Sequence, residues 1–428
     1  MTISVIGAGY VGLATCVSLV NSELNLYNYI VCADIDQNKI EALKSGSCPI
    51  HEPDMENNLF SKLKIEYSNN VSGCISNSDL IFVCVGTPLY DNSNTINTDY
   101  VSFVLSQIEA NKKNSDVIVV LRSSVPIGFT RKAKEEYSIK NLLYFPEFLR
   151  EGSAVADILS PNRIVVGTDD LIDKEVVQTA INVYAGNTSN CPIVISGYET
   201  AEIIKYGSNA MLAARVSFIN ELSQLCSAYS ANIMSVSKGI GLDPRIGAHF
   251  LVPGPGFGGS CFEKDICGLE AAFNQNSGIN SNLISSINKS NKLHMDFVAN
   301  SIISNIKHGD KITFVGATFK AGTDDTRYSP IKYLINKLKV EFEIDISIYD
   351  PNMRDKDLDI YNNTDFVEAC SGSNLIVIGT EDPNHFDLDW EAASYVVYRR
   401  LVIDLRYIMI NYKNSLLSKF KYLTLVNQ

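Results

Sequence analysis

Cys261 stands directly after a glycine-rich stretch, Gly254-Pro-Gly-Phe-Gly-Gly-Ser260, and just before Glu263-Lys264-Asp265. Glycines let a substrate approach the backbone, and a lysine near a thiol favours the nucleophilic thiolate. A lone cysteine is more often a small buried apolar residue. Here the loop, the cation and the carboxylate together point to covalent catalysis. Upstream, Lys205 and Asn209 are spaced i,i+4, which puts both on one face of a helix, where a cation and an amide can share developing oxyanion charge. The competing account of that pair is a solvated surface feature.

A second chemistry opens the chain. Ile3-Ser-Val-Ile6 runs into Gly7-Ala-Gly9-Tyr10-Val11-Gly12, followed by a helix-compatible segment, Val11 to Val20. Gly7 permits a tight turn, Gly9 lets a pyrophosphate near the backbone, and Gly12 allows close helix packing. The next strand ends at Asp34, 22 residues after Gly12. A carboxylate there accepts from ribose hydroxyls and repels a 2′-phosphate, so NAD is favoured over NADP. Gly86-Thr87-Pro88 and Ser123-Ser124-Val125-Pro126 fall at later strand ends, which in open α/β sheets line the ligand crevice.

These residues need elements to hold them. Short β-branched runs alternate with helix-length segments at Thr2–Ile6, Tyr29–Ala33, Leu80–Val85, Val117–Leu121, Arg163–Gly167 and Ile193–Ser196, which predicts parallel strands with crossover helices. From Glu199 to Asn232 there is no proline, and Ile203, Ile204, Met211, Leu212, Val216, Ile219, Leu222 and Leu225 describe one face of a long helix. A second helix is predicted over Ser281–Ile306. Strand signals return at Lys311–Val315, Asp345–Tyr349, Leu375–Ile378 and Leu401–Ile403. The expected fold is α/β: two Rossmann-like doubly wound domains, residues 1–196 and 308–428, joined by a helical middle domain, 197–307, which has a long central helix, carries the Cys261 loop and is expected to be the dimer interface.

The 428 residues are too many for one ordinary core. With 36 Lys+Arg against 48 Asp+Glu the formal charge is -12, which disfavours nucleic acid as a partner. Ten scattered cysteines without a CxxC pair, and only five histidines, suggest neither a zinc module nor a disulfide scaffold, so a reducing cytoplasm and no metal are expected. The first 22 residues are uncharged, yet a basic n-region is missing and glycines interrupt the apolar stretch; no later run approaches the ~18 residues of a membrane span.

The ordered motifs GAGYVG at 7–12, VGTP at 85–88, SSVP at 123–126, PEFLREG at 146–152, Lys205 with Asn209, RVSFINE at 215–221, GPGFGGSCFEKD at 254–265 and FKAGTDDTRYSP at 319–330 resemble the UDP-glucose/GDP-mannose dehydrogenase family over nearly the whole chain. The resemblance implies an NAD-dependent four-electron oxidation, in which the C6 hydroxymethyl of a nucleotide-linked hexose becomes a carboxylate through a thiohemiacetal and a thioester on Cys261. It implies that Lys205, or a water held by Asp265, manages the first proton. Asn209 joins Lys205 at the oxyanion, and Glu147, Ser124 and Asp265 surround the hydrolytic water.

By the same resemblance, the cofactor would meet Gly7, Gly9, Tyr10, Val11, Gly12, Asp34, Lys39, Thr87, Ser124, Glu151, Lys264 and Arg327. The sugar nucleotide would meet Glu147, Phe148, Leu149, Arg150, Glu151, Lys205, Asn209, Phe250, Gly254, Gly258, Lys320 and Arg406. Arg245 would reach a neighbouring subunit's substrate, completing the site in a homodimer. Asp325 is a further candidate, with structural ion pairing as the competing account, and Asp404, with Arg406 just beyond the last predicted strand, stands where contacts to the nucleotide or between domains are expected. Ser124 stands where threonine is common, Glu263 where proline is frequent, and Phe145 where a small polar residue often precedes PEFL. Gly258-Gly-Ser-Cys-Phe262 and the chain length favour UDP-glucose over the acetylated class, with GDP-mannose or a UDP-N-acetylhexosamine as the competing substrates. Two other classes compete: a non-catalytic nucleotide-sugar binder, and a dehydrogenase that stops at the aldehyde.

Overall fold

Runs such as Leu80-Ile-Phe-Val83, Ile118-Val-Val-Leu121 and Leu375-Ile-Val-Ile378 have no polar face to give to water, so their strands must be covered on both sides. The computed structural model describes residues 1–22, 29–60, 65–91, 93–186, 191–275, 278–353, 362–412 and 417–425. It divides into two compact units, residues 1–208 with 267–280, and residues 209–266 with 281–428.

The first unit is built on β1 (Thr2–Ile6), β2 (Tyr29–Ala33), β3 (Ile65–Ser68), β4 (Leu80–Val83), β5 (Ile118–Leu121), β6 (Asn141–Tyr144), β7 (Ile164–Thr168) and β8 (Ile193–Gly197). They are ordered β3-β2-β1-β4-β5-β6-β7-β8. Leu13, Val17, Phe82, Val120 and Leu143 pack on one face, and Ile81, Val83, Leu105, Val119 and Leu142 on the other. Each such side chain, fully buried, contributes roughly 1.5–3 kcal/mol. Strands β1, β2, β4 and β5 are parallel as expected, and β3 and β6, which carry no strand signal in the sequence analysis, join them in parallel. β7 runs antiparallel to β6, meeting it at Tyr144 and Gly167, and β8 follows β7. The chain leaving β6 therefore stays at the carboxyl end of the sheet, where its connection is a loop and the six-residue helix Ala154–Leu159 instead of a full crossover.

The second unit holds β9 (Lys311–Val315), β10 (Asp345–Tyr349), β11 (Asn362–Asn363), β12 (Leu375–Ile378), β13 (Leu401–Asp404) and β14 (Lys421–Thr424), all parallel and ordered β11-β10-β9-β12-β13-β14. This repeats the order of the first six strands of the other sheet. In each, the first strand ends in a left-handed glycine, Gly7 (φ +106°) or Gly316 (φ +86°), and the second is followed by an aspartate. Asp34 accepts the amides of Ala8 (2.6 Å) and Asp36 (2.9 Å); Asp350 accepts those of Ala317 (2.8 Å), Thr318 (3.1 Å) and Asn352 (3.0 Å).

The two turns differ in one respect that decides their use. Gly9 has nothing within 4 Å of where a Cβ would stand, whereas the corresponding Thr318 fills its turn with a side chain whose hydroxyl lies 3.2 Å from Asp350. Only the first turn is left open to a ligand. Gly12 lies so close to the strand that a Cβ would sit 1.8 Å from the carbonyl oxygen of Gly7.

The long helix spans Tyr198–Ala228. The apolar residues that the spacing groups on one face differ in burial. Ile219 is buried, but Ile203, Met211 and Leu225 are exposed, as is Phe218. Beside Tyr198, Tyr206 and Ile219, the core side carries many small and polar residues, among them Ala201, Glu202, Lys205, Ala210, Ala213, Asn220 and Ser223. A second helix, Asn282–Ile303, buries His294 completely. Its Nε2 lies 2.7 Å from the Gly254 carbonyl and its Nδ1 lies 3.0 Å from the Gln224 amide nitrogen. A carbonyl only accepts and an amide nitrogen only donates, so Nε2 carries the proton and the ring is neutral. Burial pushes its pKa down to about 4. No helix among the described residues is long and apolar enough to cross a membrane.

Two outcomes follow. Gly12→Ala is expected to weaken NAD binding at least tenfold, about 1.4 kcal/mol, in a calorimetric titration. The unfolded chain takes a proton at His294 near pH 6.5, before the folded one does. Stability present above that pH is therefore lost as pH falls toward 4, by about 3 kcal/mol from this residue. Urea midpoints against pH for the native chain and His294→Gln should diverge over that window.

Candidate active site

At the cofactor end of the first unit, the Tyr10–Asn21 helix begins at Gly9 with no side chain capping it, which leaves its positive end for an anion. The open Gly9, the packed Gly12 and the Asp34 carboxylate at the end of β2 fit a dinucleotide. The Tyr10 hydroxyl donates to the His51 carbonyl (2.7 Å), and Val11 packs on the core. Lys39 lies half-buried on the Gln37–Lys44 helix just beyond Asp34. Thr87 is buried beyond β4, which stops at Val83, two residues short of expectation. The Ser123 hydroxyl donates to the Val85 carbonyl (2.6 Å), leaving Ser124 half-buried at the start of its loop.

The segment after β6 carries Glu147, and here the first unit buries an ion pair. Lys205 Nζ lies 2.7 Å from Glu147 Oε1 and 2.7 Å from the Glu147 carbonyl, and the amide of Leu149 donates to Oε2 (2.7 Å). The Phe148 ring lies near the same ammonium, 5.5 Å from it, and stacks on the Arg163 guanidinium at 3.8 Å. Arg150 is bound by two nitrogens to Asp157, so its partner within the chain is structural. Glu151 is half-buried beside it.

Three supporting residues escaped the sequence reading. Glu52 accepts the amides of Gly152 and Ala154 (2.7 Å each), fixing the end of the PEFLREG loop. Glu202, fully buried, accepts the Gly128 amide (2.5 Å) and the Thr130 amide and hydroxyl (3.0 and 2.6 Å), fixing the end of the SSVP loop. Arg122, also fully buried, lies over the Tyr184 ring at 4.4 Å. No local spacing in the sequence marks any of the three.

The second unit holds the thiol. Cys261 immediately precedes the Phe262–Gln275 helix, and its carbonyl accepts the Asp265 amide (2.9 Å) in the first turn. A helix N-terminus favours negative charge on the sulfur. Asp265 is 1% exposed; Asn209 donates to one of its oxygens (2.5 Å) and Lys264 to the other (2.6 Å). The Lys264 ammonium is thus committed to Asp265. Glu263 is half-buried, and burial pushes its carboxyl pKa up, which dampens the negative charge that its departure from the family pattern brings.

Around the loop, a Cβ on Gly258 would stand 2.2 Å from the Tyr328 carbonyl, and one on Gly254 would stand 3.2 Å from Arg406. Arg406 itself donates to the carbonyls of Gly379 (3.0 Å) and Phe319 (3.3 Å). Phe250 adopts φ +60° with its ring 6.5 Å from that of Phe262, and Lys320 is half-buried. Asp325 and Arg327 pair with each other (2.7 Å), and the exposed Arg245 pairs with Asp243 (2.6 Å). Asp404 is not a ligand-facing group: it is fully buried and accepts from the amides of Arg406 and Met409 and from the Tyr422 hydroxyl, which makes it the support of its own turn. Among the described residues no His/Cys/Asp/Glu group could hold a metal.

Known proteins match this arrangement along the chain. Profiles of the UDP-glucose/GDP-mannose dehydrogenase family match residues 1–186 as its NAD binding domain, 199–293 as its central domain and 313–411 as its UDP binding domain. The UDP-glucose 6-dehydrogenase of Rickettsia bellii is 35% identical, with 96% of each chain covered, and that of Rhizobium meliloti is 33% identical, with 95% of each covered. A UDP-glucose dehydrogenase structure from Pyrobaculum islandicum superposes with a TM-score of 0.86 at 26% identity, covering 100% of this chain and 98% of its own. A UDP-D-ManNAc dehydrogenase from Pyrococcus horikoshii shares the fold with a TM-score of 0.86 at 24% identity, covering 100% and 99%. An open dinucleotide turn, a thiol at the end of a glycine loop and this match along the whole chain have one explanation: the protein belongs to the UDP-glucose/GDP-mannose dehydrogenase family, and is an NAD-dependent oxidoreductase acting on a UDP-sugar.

Proposed function

We propose that the chain oxidises UDP-glucose to UDP-glucuronate with reduction of two NAD. The observation that carries this reading is Cys261 at a helix N-terminus, one turn from an Asp265 whose oxygens are both bonded. Binding alone has no need of a thiol in that setting. UDP-glucose is preferred to a UDP-N-acetylhexosamine because the relatives that match at 33–35% identity bear its name.

NAD, when bound, accepts a hydride. In the first oxidation the C6 hydroxyl loses its proton toward a water held by Asp265, or toward Lys205 once that ammonium has given up a proton of its own, as C6 gives up its hydride. The thiolate of Cys261 then adds to the aldehyde. Lys205 and Asn209, one turn apart on the long helix, stabilise the resulting oxyanion. Loss of a second hydride leaves a thioester. A water, held among Glu147, Ser124 and Asp265, attacks it and releases the carboxylate and the free thiol. Glu147, held by Lys205 at 2.7 Å, serves as the acceptor of the water's proton.

The cofactor is assigned to the Gly7–Gly12 turn, Asp34, Lys39, Thr87, Glu151, Lys264 and Arg327, and the sugar nucleotide to the 147–151 segment, Phe250, Gly254, Gly258, Lys320 and Arg406. We place the domain divisions near residues 196 and 307, a reading supported by the three separate profile matches. Ile203, Met211, Phe218 and Leu225 recur at seven- and eight-residue steps on the exposed side of the long helix, a stripe suited to a second copy of the same helix. A homodimer also gives the exposed Arg245 a neighbouring substrate to reach. Ten scattered cysteines without a CxxC pair favour the reducing cytoplasm.

Limiting UDP-glucose should yield two NADH at 340 nm and an acid product. One NADH would mean arrest at the aldehyde, and activity with another sugar nucleotide alone would move the substrate but keep the chemistry. Cys261→Ala should form no acid; undiminished glucuronate would refute the nucleophile. Replacing Phe218 by Asp together with Leu225 by Lys should shift the mass seen by light scattering from twice 47.2 kDa to the single chain; an unchanged mass would place the interface elsewhere.

A further inference from the structure

The glycine loop that ends at Cys261 would be a floppy support for a nucleophile if only its own backbone held it. It is not left so. The Gly254 amide donates to Asn220 Oδ1 (3.0 Å), and the Gly254 carbonyl accepts from His294 Nε2 (2.7 Å). Three residues on, the Phe257 amide donates to Asn291 Oδ1 (2.9 Å), and its carbonyl accepts from Asn291 Nδ2 (3.0 Å). Two loop residues thus have both backbone groups answered by side chains, as a neighbouring strand would answer them. The three side chains are 0%, 6% and 0% exposed for Asn220, Asn291 and His294.

Their placement follows from helix geometry. Asn291 and His294 are spaced i,i+3 on the Asn282–Ile303 helix, and Asn220 and Gln224 are spaced i,i+4 on the long helix, so each pair presents on one face. Gln224 answers the second ring nitrogen of His294, which sets its tautomer. Glycine is required at the point of contact. Gly256 has φ +134°, and a Cβ there would stand 3.0 Å from Asn291 Oδ1.

We propose that Asn220, Asn291 and His294 are positioning residues for the sulfur of Cys261: by holding the backbone of Gly254 and Phe257 they set where the loop delivers the thiol. The proposal rests on the reading of Cys261 as the nucleophile. None of the three is assigned contact with substrate or cofactor. At saturating substrate, which offsets any weakened binding at Gly254, their removal should therefore slow the steps that use the sulfur and spare the first oxidation, which does not.

The test compares wild type, Asn291→Asp, His294→Leu, His294→Gln and Cys261→Ala, each checked for folding by its melting transition. The first and second hydride transfers are separated by starting from UDP-glucose and from its 6-aldehyde in single turnovers. In Asn291→Asp the Phe257 carbonyl faces an oxygen, and in His294→Leu the Gly254 carbonyl loses its donor. Both should slow aldehyde oxidation tenfold or more, with the alcohol step within twofold of wild type and aldehyde trapped by hydroxylamine. His294→Gln, which keeps a donor, should recover most of the rate. Asn220→Ser serves if the others do not fold, with a drop of several-fold in the same step.

Equal slowing of both steps, or no slowing in folded variants, overturns the proposal. Acid formation by Cys261→Ala overturns the reading beneath it, and the proposal with it.

Discussion

The Lys205 ammonium lies between the carboxylate and the backbone carbonyl of the same residue, Glu147, with all three groups out of water. Burying either charge alone would cost several kcal/mol, so removing one partner of such a pair typically costs about 3–5 kcal/mol. The same demand recurs through the chain. Asp265 is answered by Asn209 and Lys264, Glu52 by the amides of Gly152 and Ala154, and Glu202 by Gly128 and Thr130. Glu147 sits in a loop and Glu52 and Glu202 tie loops down, while Asp265 sits in the first turn of the helix that follows Cys261. The loops are ordered because the charges inside them cannot be left unanswered.

The two sheets show how little need change for one topology to serve two ends. Both place a left-handed glycine after the first strand and an aspartate after the second. In the first unit the turn beside the aspartate stays open because Gly9 brings no side chain to it. In the second, Thr318 supplies its own hydroxyl to Asp350, and Thr380 packs where a Cβ on Gly316 would have to go. That turn has become part of the core.

Much of this was legible in the sequence. β1, β2, β9, β10 and β12 have the expected ends, because each is a buried apolar run bounded by turn residues. β6, Asn141-Leu-Leu-Tyr144, was not, since it lacks β-branched residues and owes its state to its neighbours. The long helix was legible in extent but not in its faces. Its inward side is chosen by Glu202, Lys205 and Asn220, polar residues whose partners lie far along the chain, and a periodicity of apolar residues cannot report them. The catalytic candidates were visible because glycine loops and motif order are local. The supports at Glu52 and Arg122 were not, because each depends on a contact formed only in the fold.

The first unit is not contiguous: after residue 208 the chain leaves it and returns for residues 267–280. That returning piece is no ornament, since Gly268 passes so close to Ile96 and Tyr206 that an added methyl would meet them at 2.5 and 3.0 Å. A ribosome extends a chain at roughly 5–20 residues per second. The dinucleotide unit therefore waits several seconds for its last segment after its own sheet has been made. During that interval a nascent chain has the strands but not the seal, which makes this the period when a chaperone would find it.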